Sequence, residues 1–338
     1  MRIPGSRTIN KIFGQTNQLG IILMYHRIYD ASDDWDPWCT CVTPKHFDQQ
    51  MQLLKKLTDP VSLADISTST LKKASKRQPA AITFDDGYAD NFTDARPILE
   101  KYGLLATFYI VSDAVDSKKE FWWDELERII VSTPRLPELF DVTITGTRYS
   151  WHIRNTLELQ EFHKNTPDND VVLSRSQLYF ALWKMMKNLT LADKRNILKS
   201  LALWADHRLP DRTAYLPLKS DDLNQLAEHP LFDIGAHTVS HPCLSLLNAA
   251  EQEAEIAGSK EFLEKIISKS VTSFSYPHGD YNDSTVNLVQ RLGMANACSV
   301  NPQLMQKDSD PYLLPRFMVM DWDGAEFERK LSGWLCSA

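Results

Sequence analysis

Ala80-Ala81-Ile82-Thr83-Phe84-Asp85-Asp86-Gly87-Tyr88 is the stretch on which the fold turns. An apolar run stops abruptly on two adjacent carboxylates. Such a run predicts a buried strand, and the Asp-Asp-Gly that follows predicts a polar loop at its C-terminal tip. Far downstream a second apolar run, Phe232-Asp233-Ile234-Gly235-Ala236, closes on His237-Thr238-Val239-Ser240-His241-Pro242. In an α/β barrel the C-terminal tips of the strands gather on one face, where active sites sit. Two aspartates and two histidines on that face make a metal site with a carboxylate to spare, which is the equipment of a hydrolase.

Working outward, apolar strands alternate with helical stretches, the signature of a parallel sheet wrapped by helices. Ile21–His26 reads as a first strand, Ala80–Phe84 as a second and Leu104–Val111 as a third. Between them lie a helix over Pro44–Leu57, capped by Thr43, and a helix over Asn91–Tyr102 that stops at Gly103. Further strands are predicted at Phe232–Ala236, Ser273–Tyr276, Ala295–Val300 and Leu313–Val319, with helices at Ala249–Ile267 and Ser284–Leu292. The count suits a small or incomplete (β/α) barrel.

The segment 118–222 has its own character and divides the chain into a first barrel part (1–117), an insertion and a second barrel part (223–338). In the insertion, Trp122, Trp123, Leu126, Ile129 and Ile130 follow helical spacing. Val142–Ile144 and Tyr149–Ile153 flank Thr145-Gly146-Thr147 as a hairpin. Two further amphipathic helices carry Leu178, Leu182, Trp183 and Met186, then Ile197, Leu198, Leu201 and Trp204. These aromatics suit a separate core, a lid over the catalytic face, or both.

Composition narrows the function classes. The chain has 338 residues, a formal net charge of −7 and a hydrophobic fraction of 43%. Its mean hydropathy is −0.33 and its pI about 5.7. That balance, with no basic block, argues against a nucleic-acid partner. Met1–Gly20 is polar and lacks the apolar core of a secretory signal, and no run is long enough to span a bilayer. The five cysteines form no disulfide pattern, which predicts reduced thiols and a cytoplasmic protein.

Thr83-Phe84-Asp85-Asp86-Gly87 and His237-Thr238-Val239-Ser240-His241-Pro242 resemble the first two motifs of the polysaccharide deacetylase family, the NodB-homology domain of carbohydrate esterase family 4. The resemblance covers roughly 20–115 and 225–320 and implies a distorted barrel of that type. It implies that Asp86, His237 and His241 ligate one divalent metal and that Asp85 is the free base. Two imidazoles and a carboxylate suit zinc first, with cobalt, nickel, iron or manganese also fitting. Spaced four apart, the two histidines would share one side of a helical turn.

The family's third motif aligns with Phe274-Ser275-Tyr276-Pro277-His278-Gly279, so the backbone N–H of His278 falls at the oxyanion position. Ser275 stands where relatives carry an arginine that orients the base. Arg316, at the tip of the last predicted strand, is the candidate to supply that charge. No histidine follows Arg316 to protonate the leaving amine. His26, ending the first strand, resembles the arrangement of circularly permuted relatives and is the candidate acid. Asp321-Trp322-Asp323 resembles a further motif whose Trp walls the acyl pocket.

The resemblance therefore implies a metal-dependent hydrolase that removes an N-acyl group, above all N-acetyl, from an amino-sugar-containing small molecule or glycan. A deformylase, an amidase on a non-sugar substrate, and a non-catalytic glycan-binding protein are the alternatives. Retention of Asp85 speaks against the last.

Overall fold

The computed structural model describes residues 18–32, 34–68, 77–157 and 167–336. Most of the polar N-terminal stretch read above lies outside the described residues. Seven parallel strands carry the fold: β1 (Gln18–Tyr25), β2 (Pro79–Phe84), β3 (Ala106–Ile110), β4 (Phe232–Ala236), β5 (Ser273–Ser275), β6 (Asn296–Cys298) and β7 (Phe317–Met318). The sheet order is β6-β5-β4-β3-β2-β1. β1 and β2 run in register from Ile21 opposite Ala80 to Tyr25 opposite Phe84.

The chain's last strand closes the ring. β7 pairs with β1, Leu23 opposite Phe317. Just upstream, Leu314 bridges Cys298 at the end of β6. The Leu314 N–H donates to the Ala297 carbonyl at 2.9 Å, and the Ser299 N–H donates to the Leu314 carbonyl at 2.9 Å. One segment thus spans the gap between β6 and β1, and the curled sheet becomes a distorted barrel of the predicted type.

The strands are buried on both faces, as their unbroken apolar runs require. On the outer face Phe84 stacks on Phe108 with ring centroids 4.9 Å apart and meets Phe47 edge-on at 5.9 Å, while Tyr109 points inward to Cys298 Sγ at 3.2 Å. Outside, the helix Pro44–Leu57 turns Phe47, Met51 and Leu54 onto the sheet, and Thr43 caps it by accepting from the His46 N–H. Helix Ala249–Ile267 starts from a capping box made by Asn248 and Glu251. The predicted helix over Asn91–Tyr102 opens as a π-turn (Asn91–Ala95), continues as an α-helix and ends at Gly103, whose φ of 62° is the left-handed stop. No helix among the described residues is long and apolar enough to cross a membrane.

The insertion has a second core built from Trp122, Leu126, Phe140, Trp151, Tyr179, Leu182 and Leu198, among others. Its hairpin pairs Leu139–Ile144 with Thr147–Arg154 around a turn in which Thr145 (φ 48°) and Gly146 (φ 84°) both take positive φ. That is the twist two-residue hairpin turns require. Leu218 and Leu223 already pack in the barrel core, and the second core ends at Ala205. The change of core therefore falls before residue 218, ahead of the boundary read at 222. The helix Ser220–Glu228 that straddles that boundary buries Leu223 and Leu226 against the sheet.

Candidate active site

The tips of β1, β2, β4 and β5 meet on one rim, and the residues singled out in the sequence are gathered there. The Asp85 N–H donates to the Tyr25 carbonyl at 3.0 Å, which anchors the end of β2 to β1. The chain then reverses through Asp86 at φ 73° and Gly87 at φ 86°. His237 follows β4, its N–H donating to the Ile110 carbonyl at 3.1 Å.

Asp86, His237 and His241 are buried, and one potential ligand atom from each lies within 4.8 Å of the others. The Asp86 Oδ1 stands 3.6 Å from His237 Nε2 and 3.4 Å from His241 Nε2. His237 donates from Nδ1 to the Ser275 carbonyl at 2.7 Å. That bond selects the tautomer in which Nε2 carries a lone pair toward Asp86, the arrangement of a metal-binding imidazole. Burial, with the Lys194 ammonium and two further imidazoles nearby acting the same way, holds His241 well below the ordinary histidine range, which favours a neutral ring. The donor set and its protonation fit a divalent cation.

The two histidines do not share a helical turn, contrary to the reading from their spacing. Residues 237–242 form a loop with Thr238 at φ 67° and His241 at φ 57°. A β-branched residue at positive φ is strained, and such strain persists only where neighbours over-determine it. Here the Thr238 Oγ1 accepts from the His241 N–H at 3.0 Å. Glu255, on helix Ala249–Ile267, accepts from the N–H groups of Val239 and Ser240, both at 2.9 Å, and from the Ser240 hydroxyl at 2.6 Å.

Asp85 stands beside the triad without joining it. Arg316 grips it with two bonds, Nη1 to Oδ1 and Nη2 to Oδ2, both 2.7 Å. The guanidinium also donates to Thr83 Oγ1 at 3.1 Å, Ser275 Oγ at 2.8 Å and the Ser299 carbonyl at 2.9 Å. Ser275 in turn donates to Asp85 Oδ2 at 3.2 Å. Burial alone would raise the Asp85 pKa, but the Arg316 charge outweighs it, and the carboxyl is held well below the usual range. Ser275, at the position the resemblance assigns to an arginine, hydrogen-bonds instead a guanidinium that arrives from residue 316, just ahead of β7.

His278 lies on the turn Pro277–Gly279 at φ 57°. Its N–H has no protein acceptor among the described residues, and its Nε2 is a buried nitrogen without a partner. Burial pushes its pKa down to about 4, with Asp86 pulling the other way. Its ring meets His241 edge-on at 4.4 Å. His26 follows β1 on the same rim, and its buried Nδ1 is also unpartnered. Trp322 is elsewhere: its ring lies 5.7 Å from Trp334 with Lys330 over it at 5.0 Å, so it does not serve as the wall its motif suggested.

Three participants escaped the sequence reading. Glu255 sits among other glutamates on an ordinary helix, with no local signal. Trp123 was assigned to the insertion by its spacing, yet its ring packs on His241 at 4.9 Å. Trp183 likewise approaches His278 at 5.7 Å.

Comparison with known proteins follows the same geometry. A family model described as polysaccharide deacetylase matches residues 72–132 and 194–297, leaving out the middle of the insertion. A Bacillus subtilis (strain 168) protein named as a polysaccharide deacetylase, YxkH, is 22% identical over 301 residues, 88% of this chain and 70% of that protein. A Staphylococcus epidermidis poly-beta-1,6-N-acetyl-D-glucosamine N-deacetylase is 24% identical over 129 residues, 33% of this chain; the match spans 45% of that enzyme's length. Among solved structures, the Streptococcus pyogenes deacetylase PplD superposes with a TM-score of 0.57 at 18% identity, covering 92% of this chain and 97% of that one. IcaB from Ammonifex degensii gives 0.56 at 13%, covering 94% and 97%. These two likenesses are of fold.

Proposed function

The chain belongs to the polysaccharide deacetylase family, and on that premise we propose that it hydrolyses the N-acetyl amide of an amino sugar with the aid of one divalent metal. Asp86, His237 and His241 would hold the cation, zinc being the first expectation. When bound, it supplies Lewis acidity to the amide carbonyl and the attacking water. Asp85 takes the proton of that water. Oδ1 keeps a second lone pair beyond its Arg316 bond, Oδ2 being also taken by the Ser275 hydroxyl, and the guanidinium keeps the carboxylate ionised and aimed. That grip also lowers its basicity, so its strength as a base comes from position.

The free N–H of His278 is offered to the oxygen that gains charge as the carbonyl becomes tetrahedral. His26, at the end of β1, gives a proton to the departing nitrogen. The observation that carries the reading is the buried Arg316–Asp85 pair standing beside an Asp-His-His triad, one carboxylate for proton transfer and one for a metal.

The test is metal analysis of the purified protein with an assay of amine release from N-acetylated and N-formylated amino sugars. One divalent ion per chain, lost in His237→Ala and His241→Ala together with amide hydrolysis, is expected. Full metal content in both variants would sink the ligand assignment. For His26→Ala, amide hydrolysis should fall steeply while an activated aryl acetate, whose leaving group needs no proton, is still cleaved. Equal losses on both substrates would remove His26 from the acid role.

A further inference from the structure

The insertion and a loop of the barrel rim meet beside the triad. In the loop, Trp38 donates from Nε1 to the Tyr179 hydroxyl at 3.0 Å and packs 4.5 Å from Trp183. Trp35 meets Tyr179 edge-on at 4.9 Å. Tyr179 and Trp183 belong to the insertion helix Arg175–Met186. Behind this contact lies a pocket lined by Trp35, Trp38, Tyr88, Trp123, Asp124 and Tyr179, and Asp86 of the triad forms part of the same wall.

Its polar groups are ordered. Trp123 donates from Nε1 to the Tyr88 hydroxyl at 2.8 Å, which donates to Asp124 Oδ2 at 2.7 Å. Asp124 Oδ1 has no protein donor among the described residues, so the chain of bonds ends on an open acceptor. The half-buried indoles of Trp35 and Trp38 and the carboxyl groups of Asp36, Asp124 and Glu127 in its lining suit a pyranose, whose axial C–H groups stack and whose hydroxyls donate.

We propose that this pocket is an end-closed cup for a single terminal pyranose, so that the substrate presents its amide on a free amino sugar or on the last unit of a chain. The inference rests on the deacetylase reading above. A polymer lying across the rim would have to continue past the triad on the insertion side, where the Trp38–Tyr179–Trp183 contact joins the two walls. A terminal ring needs no exit there. The same walls place Trp123 on His241 and Trp183 on His278, so the cup and the chemistry share their boundary.

The experiment uses the full-length, metal-loaded protein with N-acetylglucosamine and its end-labelled β-linked dimer and hexamer. The deacetylated unit is located by mass spectrometry. Loss of acetyl from one end only, with kcat/KM changing by less than about threefold from dimer to hexamer, is expected. Turnover of the monosaccharide as fast as the dimer identifies a free sugar; turnover of the dimer alone identifies a chain end. Internal deacetylation, or kcat/KM rising about tenfold or more with length, overturns the cup. In Trp38→Ala the hexamer-to-dimer ratio should rise at least about fivefold, a ratio in which general damage to the enzyme cancels. An unmoved ratio overturns the closing role of this contact. Metal-dependent cleavage of an aryl acetate with no action on any of these sugars removes the cup and leaves the hydrolase; failure on both removes the deacetylase reading and the cup together.

Discussion

Arg316 and Trp151 are both among the largest fully buried side chains of this protein, and they are buried for different ends. At the barrel rim, Arg316 is a charge taken out of water and repaid by bonds to Asp85, Thr83, Ser275 and Ser299. In the insertion, Trp151 stacks on Phe140 at 5.1 Å and needs one partner for its N–H, the Asp168 carbonyl. Replacing a buried ion pair with apolar groups of the same volume is often neutral or stabilising. The rim therefore carries a polar arrangement that stability alone does not demand, whereas the insertion obeys ordinary core packing. At the rim Asp86, Thr238, His241 and His278 take positive φ beside the ligand atoms, whereas the insertion's Thr145, Asp170 and Asp206 do so away from the site.

The sharpest way to break the contrast is Asp85→Asn. It should keep the fold and bound metal while turnover falls about 10²–10⁴-fold, because the base is lost while the triad remains. Steady-state kinetics beside metal content decides it; near-normal turnover would make the Arg316 pair purely structural.

Trp151→Ala probes the other side. Removing a buried indole costs about 3–5 kcal/mol, and the loss should concentrate in the insertion. Hydrogen exchange should quicken across 122–205 while the β1–β4 amides keep their protection. If the barrel strands open equally, the two cores are one cooperative unit and the comparison fails.

Glu255→Ala sharpens the account of the rim. Without its bonds to Val239 and Ser240 the strained loop should relax, weakening metal binding about 10–100-fold, as losses of groups that orient ligands do. Competition with a chelator measures this, and unchanged affinity would show that the loop holds its shape unaided.

The smallest effect is at Asp124, in the wall of the pocket between the rim loop and the insertion. Burial pushes Asp124 up to about 7, with Arg27, Tyr88 and Arg212 pulling down. An unfolded aspartate titrates near 3.9. Between those values the folded chain holds a proton the unfolded chain has released, so stability contributed below about 4 is lost as pH rises to about 7 and is level beyond. Asp124→Asn should flatten that part of a plot of Tm against pH; an identical slope would place the titration elsewhere.

Much of this arrangement was legible in the sequence because strands buried on both faces are written as unbroken apolar runs. The runs ending at Phe84 and Ala236 placed four of the seven proposed site residues at strand tips. Thr43 and Gly103 marked a helix start and a helix stop by local chemistry. Arg316 beside Asp85 was legible only as a missing charge needing a source, since the contact depends on β7 lying against β1. The loop of His241 was misread because spacing alone cannot tell a helical turn from a chain at positive φ. Trp123 has the periodicity of a core residue and is one, and nothing local says that its other face touches an imidazole.

The closing segment has a consequence for the order of folding. Asp85 and Arg316 lie 231 positions apart, and the ring is joined only when residues 311–318 add to β6 and β1. A chain emerging from the ribosome completes every other strand first. Until the last arrives, β6 is an open edge and β1 is covered only over Gln18–Gly20 by residues 305–306, so both offer a template for another chain to add to, and the carboxylate at the end of β2 has no counter-charge. Loop closure over such a separation is slow. A product cut short before residue 311 should accumulate as aggregate, and a chaperone that shields sheet edges should matter most to this protein in the interval before its final strand is made.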